Sequence, residues 1–228
     1  MGAMGEVPGH GRKSIIVFLG VVAVVMALTS ILLPWYRVDL EQVLTSGEEP
    51  TPSSLVVYLT YLKADGPEAL DLCVDYSSFD QLPSGTPGTA GLVDDVAWVL
   101  LMVMAASVLT GLLFIGQALT DRGGLLAGWA AVVLGVFAVA YTAVSLPDGL
   151  SGLEYLLGTY WFPIDGFTGT TWSVGIDAPP WREDWSWGPS SGWYMALSST
   201  VLMTVVVLHR TMHLLRSLDQ GKRWIGVL

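Results

Sequence analysis

Four stretches of the chain are almost continuously apolar and hold no charged side chain: 14–36, 96–120, 123–146 and, less cleanly, 192–208. A run of about 18 or more such residues is long enough to cross a bilayer as a helix. At about 1.5 Å rise per residue it covers the roughly 30 Å hydrocarbon core. The fourth run continues to Arg216 as a basic amphipathic stretch. The pattern predicts an all-α membrane protein, a four-helix transmembrane bundle with spans at 14–36, 93–120, 125–147 and 191–216. It leaves a tight turn at 121–124, two long loops at 37–92 and 148–190, and tails at 1–13 and 217–228. The first run is too long for the core of a cleaved signal peptide and has no nearby Ala-x-Ala, so it reads as a retained span.

Loops of this length between helices usually carry structure or function of their own. In the first, 54–62 is β-branched and aromatic, which suits a strand, although a short helix also fits. The turn signal Ala64-Asp-Gly-Pro67 follows, and 81–88 reads as a flexible linker. The two loops together are expected to build an extracytoplasmic domain that could include a small β-sheet. The second loop is rich in aromatics, many of them Trp or Tyr, whose rings are apolar while the N–H or O–H can stay wet. Trp35, Tyr36, Trp161, Trp172, Trp181, Trp185 and Trp187 are the expected interaction residues. The plainer reading of these rings is an interfacial belt plus a small core shared by the two loops.

Composition changes the picture in one respect: 52% of residues are hydrophobic and only 13% charged, which argues against a soluble protein. Charge then sets the orientation. The tails, the 121–124 turn and the end of the fourth run hold seven Lys or Arg against three acids. The opposite side, the two loops together with Asp94 and Asp95 at the outer mouth of the second span, holds three against seventeen. The positive-inside bias predicts a multi-pass cell-membrane protein with cytoplasmic termini and extracytoplasmic loops at 37–92 and 148–190. The acidic outer surface should attract basic partners and repel nucleic acid. Cys73 is the sole cysteine, so the outer domain folds without an internal disulfide, and the chain contains no asparagine to glycosylate. Both features suit a prokaryotic envelope.

Candidate chemistry is sparse. His209 and His213 stand four apart on one helical face and are the weak candidates for a metal or haem. Arg210 and Arg216 flank them, so a basic face against anionic headgroups is the plainer reading. The spans carry no Asp, Glu, Lys or Arg at mid-membrane depth, where pumps and proton-coupled carriers place ionisable groups. No nucleophile–base constellation is visible, so no catalytic residue and no cofactor is expected. Gly124 and Gly128, and likewise Ala131 and Gly135, stand four apart, a spacing that lets helices pack closely, within the bundle or between copies.

The segment Ala27-Leu-Thr-Ser-Ile-Leu-Leu-Pro-Trp-Tyr-Arg-Val38 resembles the first-helix exit of claudin-like tetraspan proteins. The larger first loop, the smaller second loop and the Gly188 to Gly192-Trp193 approach to the last helix are similar as well. The resemblance implies a left-handed four-helix bundle with an outer β-sheet. The family's Gly-Leu-Trp motif and disulfide-forming cysteine pair are not found here. The same Leu-Pro-Trp-Tyr exit is also similar to that of many uncharacterised prokaryotic membrane proteins.

The sequence thus leads to a non-enzymatic membrane protein, in contact with lipid, whose acidic, aromatic-rich outer domain binds a protein partner or further copies of itself. A small transporter or channel component is the alternative, with a polar path through Thr29, Ser30, Ser107, Thr110, Thr142, Ser198, Ser199 and Thr204. A metal- or haem-binding protein built on the His209/His213 pair is the third.

Overall fold

The computed structural model describes residues 10–44, 50–59, 61–66, 73–75, 105, 109, 112, 124–151, 164–175 and 181–225. Three helices are described: α1 (His10–Leu32), α2 (Gly124–Ser151) and α3 (Ser191–Ile225). Within them, Ile15–Leu32, Leu125–Pro147 and Ser191–Ser217 are long and apolar enough to cross a membrane. Their outward side chains are lipid-like in character, with Phe18 66%, Leu32 78% and Leu126 79% exposed. The protein is therefore membrane-associated. Of the span expected at 93–120, only Ala105, Leu109 and Leu112 are described; all three are helical and exposed.

The all-α expectation is overturned, because an antiparallel sheet makes this an α+β fold. Its strands are β1 (Tyr36–Leu44), β2 (Thr51–Val57), β3 (Tyr61–Asp65), β4 (Cys73–Asp75), β5 (Gly169–Gly175) and β6 (Trp181–Pro189). The six pair in the order β4-β3-β2-β1-β6-β5. The first five members of β1, Tyr-Arg-Val-Asp-Leu, alternate apolar and charged, the period-two signature of a half-buried strand. β6 does the same through Glu183, Trp185 and Trp187, which are buried, and Arg182, Asp184 and Ser186, which are not. β1 and β6 pair along their full length, from Tyr36↔Pro189 to Leu44↔Trp181, so this pair joins the two loops in one sheet.

The first apolar run also ends earlier than its composition suggests. Pro34 has no N–H to continue a helix and pushes Leu33 toward extended backbone. α1 stops at Leu32, and Trp35 and Tyr36 turn into the sheet.

Two cores result. One lies under the sheet and joins Trp35, Tyr36, Val38, Leu40, Leu55, Val57, Trp185 and Trp187 to Ala138, Val139, Leu146 and Leu150 of α2 and Ala196 of α3. The other lies among the helices and joins Ala23, Ala27, Ala131, Val132, Met203, Val206 and Val207. α3 packs against both α1 and α2. Ser199 Oγ donates to the Ala23 carbonyl at 2.7 Å, tying α3 to α1. At Gly135 an added Cβ would lie 2.6 Å from Thr200 Oγ1, so α2 and α3 approach at a residue without a side chain.

Candidate recognition surface

The joint between membrane and sheet is built around Trp35. Its indole Nε1 donates to the Ser30 carbonyl at 2.7 Å, capping α1, and its backbone N–H donates to Val57 at 2.7 Å. Ser190 N–H reaches back to the Trp35 carbonyl at 2.9 Å, and Gly192 N–H to Pro34 at 2.7 Å. The end of α1, the start of α3 and strand β2 are therefore pinned at one residue. Tyr36 follows, fully buried, its hydroxyl donating to the Phe167 carbonyl at 2.9 Å. Burial without a charge partner pushes the Tyr36 phenol well above its ordinary range, because the phenolate would be desolvated.

Below the sheet, Glu183 is a buried carboxylate at 7% exposure. It accepts from Gln42 Nε2 at 3.0 Å, Trp185 Nε1 at 3.2 Å and Ser173 Oγ at 3.3 Å. The group thereby links β1, β5 and β6, and three donors offset much of the cost of burying its charge.

The opposite face of the sheet is polar and concave. Three cation-x-Asp pairs lie on it: Arg37–Asp39 at 2.7 Å, Lys63–Asp65 at 3.2 Å and Arg182–Asp184 at 2.8 Å. Residues two apart in a strand point to one face, so each pair closes along its own strand. These exposed pairs add little to stability; they hold charged groups in place. A groove of about 870 Å³ crosses this face, lined by Asp39, Glu41, Ser54, Asp65, Trp172 and Asp184, among others. A second hollow of about 490 Å³, running toward Gly188 and Ser190, shares Arg37, Asp39, Thr170 and Ser186 with it. Trp172 is 63% exposed, with the Arg182 guanidinium 5.7 Å from its ring centroid.

β5 is also the outer strand on its side of the sheet, paired among the described residues only with β6. Its sequence, Gly-Thr-Thr-Trp-Ser-Val-Gly, carries no charge and no proline, and Val174 is 52% exposed. Edge strands are usually protected by Lys, Pro or a bulge.

The residues expected to form an interaction surface divide in two. Trp35, Tyr36, Trp185 and Trp187 are core side chains, Trp181 is half-buried, Trp172 is exposed, and Trp161 lies outside the described residues. Gly128, Ala131 and Gly135 are buried within the helical layer, where Ala131 packs with α1 and α3; Gly124 begins α2. His209 and His213 are exposed near the far end of α3, and among the described residues no three His, Cys, Asp or Glu side chains are placed to hold a metal. The span hydroxyls are engaged with backbone carbonyls: Thr29 with Val25, Ser30 with Ala27, Thr142 with Ala138, Ser199 with Ala23 and Thr204 with Thr200. Ser198 is exposed, and Ser107 and Thr110 lie outside the described residues.

Of the residues that line the groove, Trp172 is an expected interaction residue and Asp184 one of the many outer carboxylates, whereas Arg37, Asp39 and Ser186 are not singled out by the sequence. A signal for them exists in the repeated cation-x-Asp pattern inside alternating segments, once those segments are taken as strands.

Fold and surface together define a membrane-associated α+β protein with a sheet domain. Among known proteins, no family model matches the chain and no curated relative does.

Proposed function

We propose that this is a non-enzymatic membrane protein whose sheet domain lies outside the cell membrane and docks a protein partner along β5. The reading rests on one observation: an uncharged edge strand with exposed Trp172 and Val174, paired among the described residues only with β6, on a domain hydrogen-bonded to its helices. An extended segment of a partner adds to such an edge through main-chain hydrogen bonds, while alternate side chains supply specificity. The orientation is supported by two facts. The C-terminal end of α1 and the N-terminal end of α3 both adjoin the sheet, and the basic residues gather at the opposite ends. Both chain termini are then cytoplasmic.

A lysine in place of Val174 puts a charge on the edge without touching the core. Cross-linking in intact membranes should capture a partner, or a second copy, through β5 of the wild type and lose it in Val174→Lys. Capture that is unchanged in the variant would refute docking at this edge. The helix hydroxyls count against a transport path, since those described above are already bonded to carbonyls.

A further inference from the structure

The polar face of the sheet has a composition that edge docking does not use. Across its centre runs a lane of short polar side chains in direct register: Asp65 opposite Ser54, Ser54 opposite Asp39, Asp39 opposite Ser186, and Ser186 opposite Thr170. At about 4.8 Å per strand the lane is about 19 Å long. Beside it runs a second row, Pro52, Glu41, Asp184 and Trp172, which ends in the exposed indole. Arg37 and Arg182 each bind Oδ1 of their aspartate, so among the described residues Asp39 Oδ2 and Asp184 Oδ2 keep acceptor capacity. Glu41 stands directly opposite Asp184 in the ladder and, among the described residues, takes no part in an ion pair.

The occupant must therefore donate and accept hydrogen bonds at close spacing, carry no strong negative charge and offer a flat apolar patch to a tryptophan. An extended peptide fits poorly, because the floor strands β1, β2 and β6 are paired on both sides and have no main-chain groups to give it. Acyl chains fit poorly against a polar floor, and polyanions meet four carboxylates. A sugar chain satisfies all three demands: its hydroxyls both donate and accept, and the C–H face of its ring lies flat on an aromatic surface. The groove is also within the roughly 300–1,000 Å³ range of small-ligand sites.

We propose that this face is a carbohydrate-binding site for a short neutral oligosaccharide. Trp172 is its stacking platform, and Asp39, Asp184, Ser54 and Ser186 are its hydroxyl partners. The site shares Trp172 with the docking edge, but the occupants lie in different places: the sugar on the face of the sheet, the partner's main chain along its rim.

The test uses the full chain in phosphatidylcholine nanodiscs with maltotriose, cellotriose, chitotriose and mannotriose as probes. Binding is read by saturation-transfer NMR and titration calorimetry. At least one trisaccharide should bind with a Kd between about 10 μM and a few mM. Trp172→Ala should weaken it about tenfold or more, Trp172→Phe should restore most of the loss, and Asp39→Asn should weaken it with the fold intact. Asp39→Asn, on β1 and two strands in from the β5 edge, should leave partner capture unchanged while it weakens sugar binding, so the two proposals fail separately. No saturation transfer to any probe at about 10 mM would overturn the carbohydrate site. So would binding that is indifferent to Trp172→Ala.

Discussion

Gly192 and Trp35 share a contact that leaves no room for a methyl group: a Cβ at Gly192 would lie 2.7 Å from Trp35 Cδ1, 2.8 Å from the Leu33 carbonyl and 2.9 Å from that of Pro34. Two of these three neighbours are backbone, so the clash cannot be relieved by a rotamer change. The contact is where α1, α3 and the sheet meet, and it turns three elements into one unit. Gly192→Ala should therefore cost about 2–3 kcal/mol, at the upper end of ordinary overpacking. Trp35→Ala should cost about 3–5 kcal/mol through the cavity it leaves. Thermal unfolding in nanodiscs, followed by near-UV circular dichroism, measures both.

The α2–α3 contact makes a sharper double test. Gly135→Ala drives a methyl into Thr200 Oγ1, so it should destabilise by about 1–3 kcal/mol. Thr200→Ala removes the offending hydroxyl, and its own bond to the Ala196 carbonyl is intrahelical and cheap to lose. The double variant should be more stable than Gly135→Ala alone, a coupling that a double-mutant cycle reads directly. Simple additivity would mean that the two helices do not meet there.

Glu183 should tolerate no apolar replacement. Glu183→Leu strands the Gln42, Trp185 and Ser173 donors beneath the sheet, at a cost of about 2–4 kcal/mol for the group. The loss should appear as a lower unfolding temperature and as faster hydrogen exchange in β5 and β6. An unchanged stability would show that the three donors find other partners.

Tyr36 makes the protein alkali-sensitive. Its phenol is raised above the ordinary value of 10.0 in the folded state, so folding holds the proton more tightly than the unfolded chain does. The associated stability is complete below about pH 10 and is lost as pH rises beyond it. Tyr36→Phe should reduce this alkaline slope, while costing about 1 kcal/mol at neutral pH for the lost bond to Phe167. A pH titration of the unfolding temperature for the two proteins separates the effects.

The helices were legible because membrane insertion writes itself as long uncharged runs, and Ile15–Leu32 needed nothing more. The sheet was not legible as the defining feature. β1 and β6 lie in different loops, and the Gln42–Glu183 bond that ties them joins residues 141 positions apart. Period-two alternation was present in Tyr36–Leu40, but the Leu-Pro-Trp-Tyr segment reads equally well as the end of a span. Only Pro34 marks the change of direction. The aromatic loop was legible as containing a small shared core, but Trp185 and Trp187, which belong to it, were expected at the interaction surface with Trp172. Nothing local distinguishes the three, and burial depends on which face pairing selects. The groove needed register across five strands, which a single sequence does not carry.

The most direct test of the association reading is cross-linking mass spectrometry on intact membranes, comparing wild type with Val174→Lys at equal expression and equal thermal stability. Because β5 has no amine, carboxylate or thiol, a photo-reactive residue is introduced at Thr170 in both proteins. Its cross-links should reach one partner protein, or a second copy, in the chain with Val174 and be missing from the variant. Identical cross-links in both, or none from this strand in either, would contradict docking along β5.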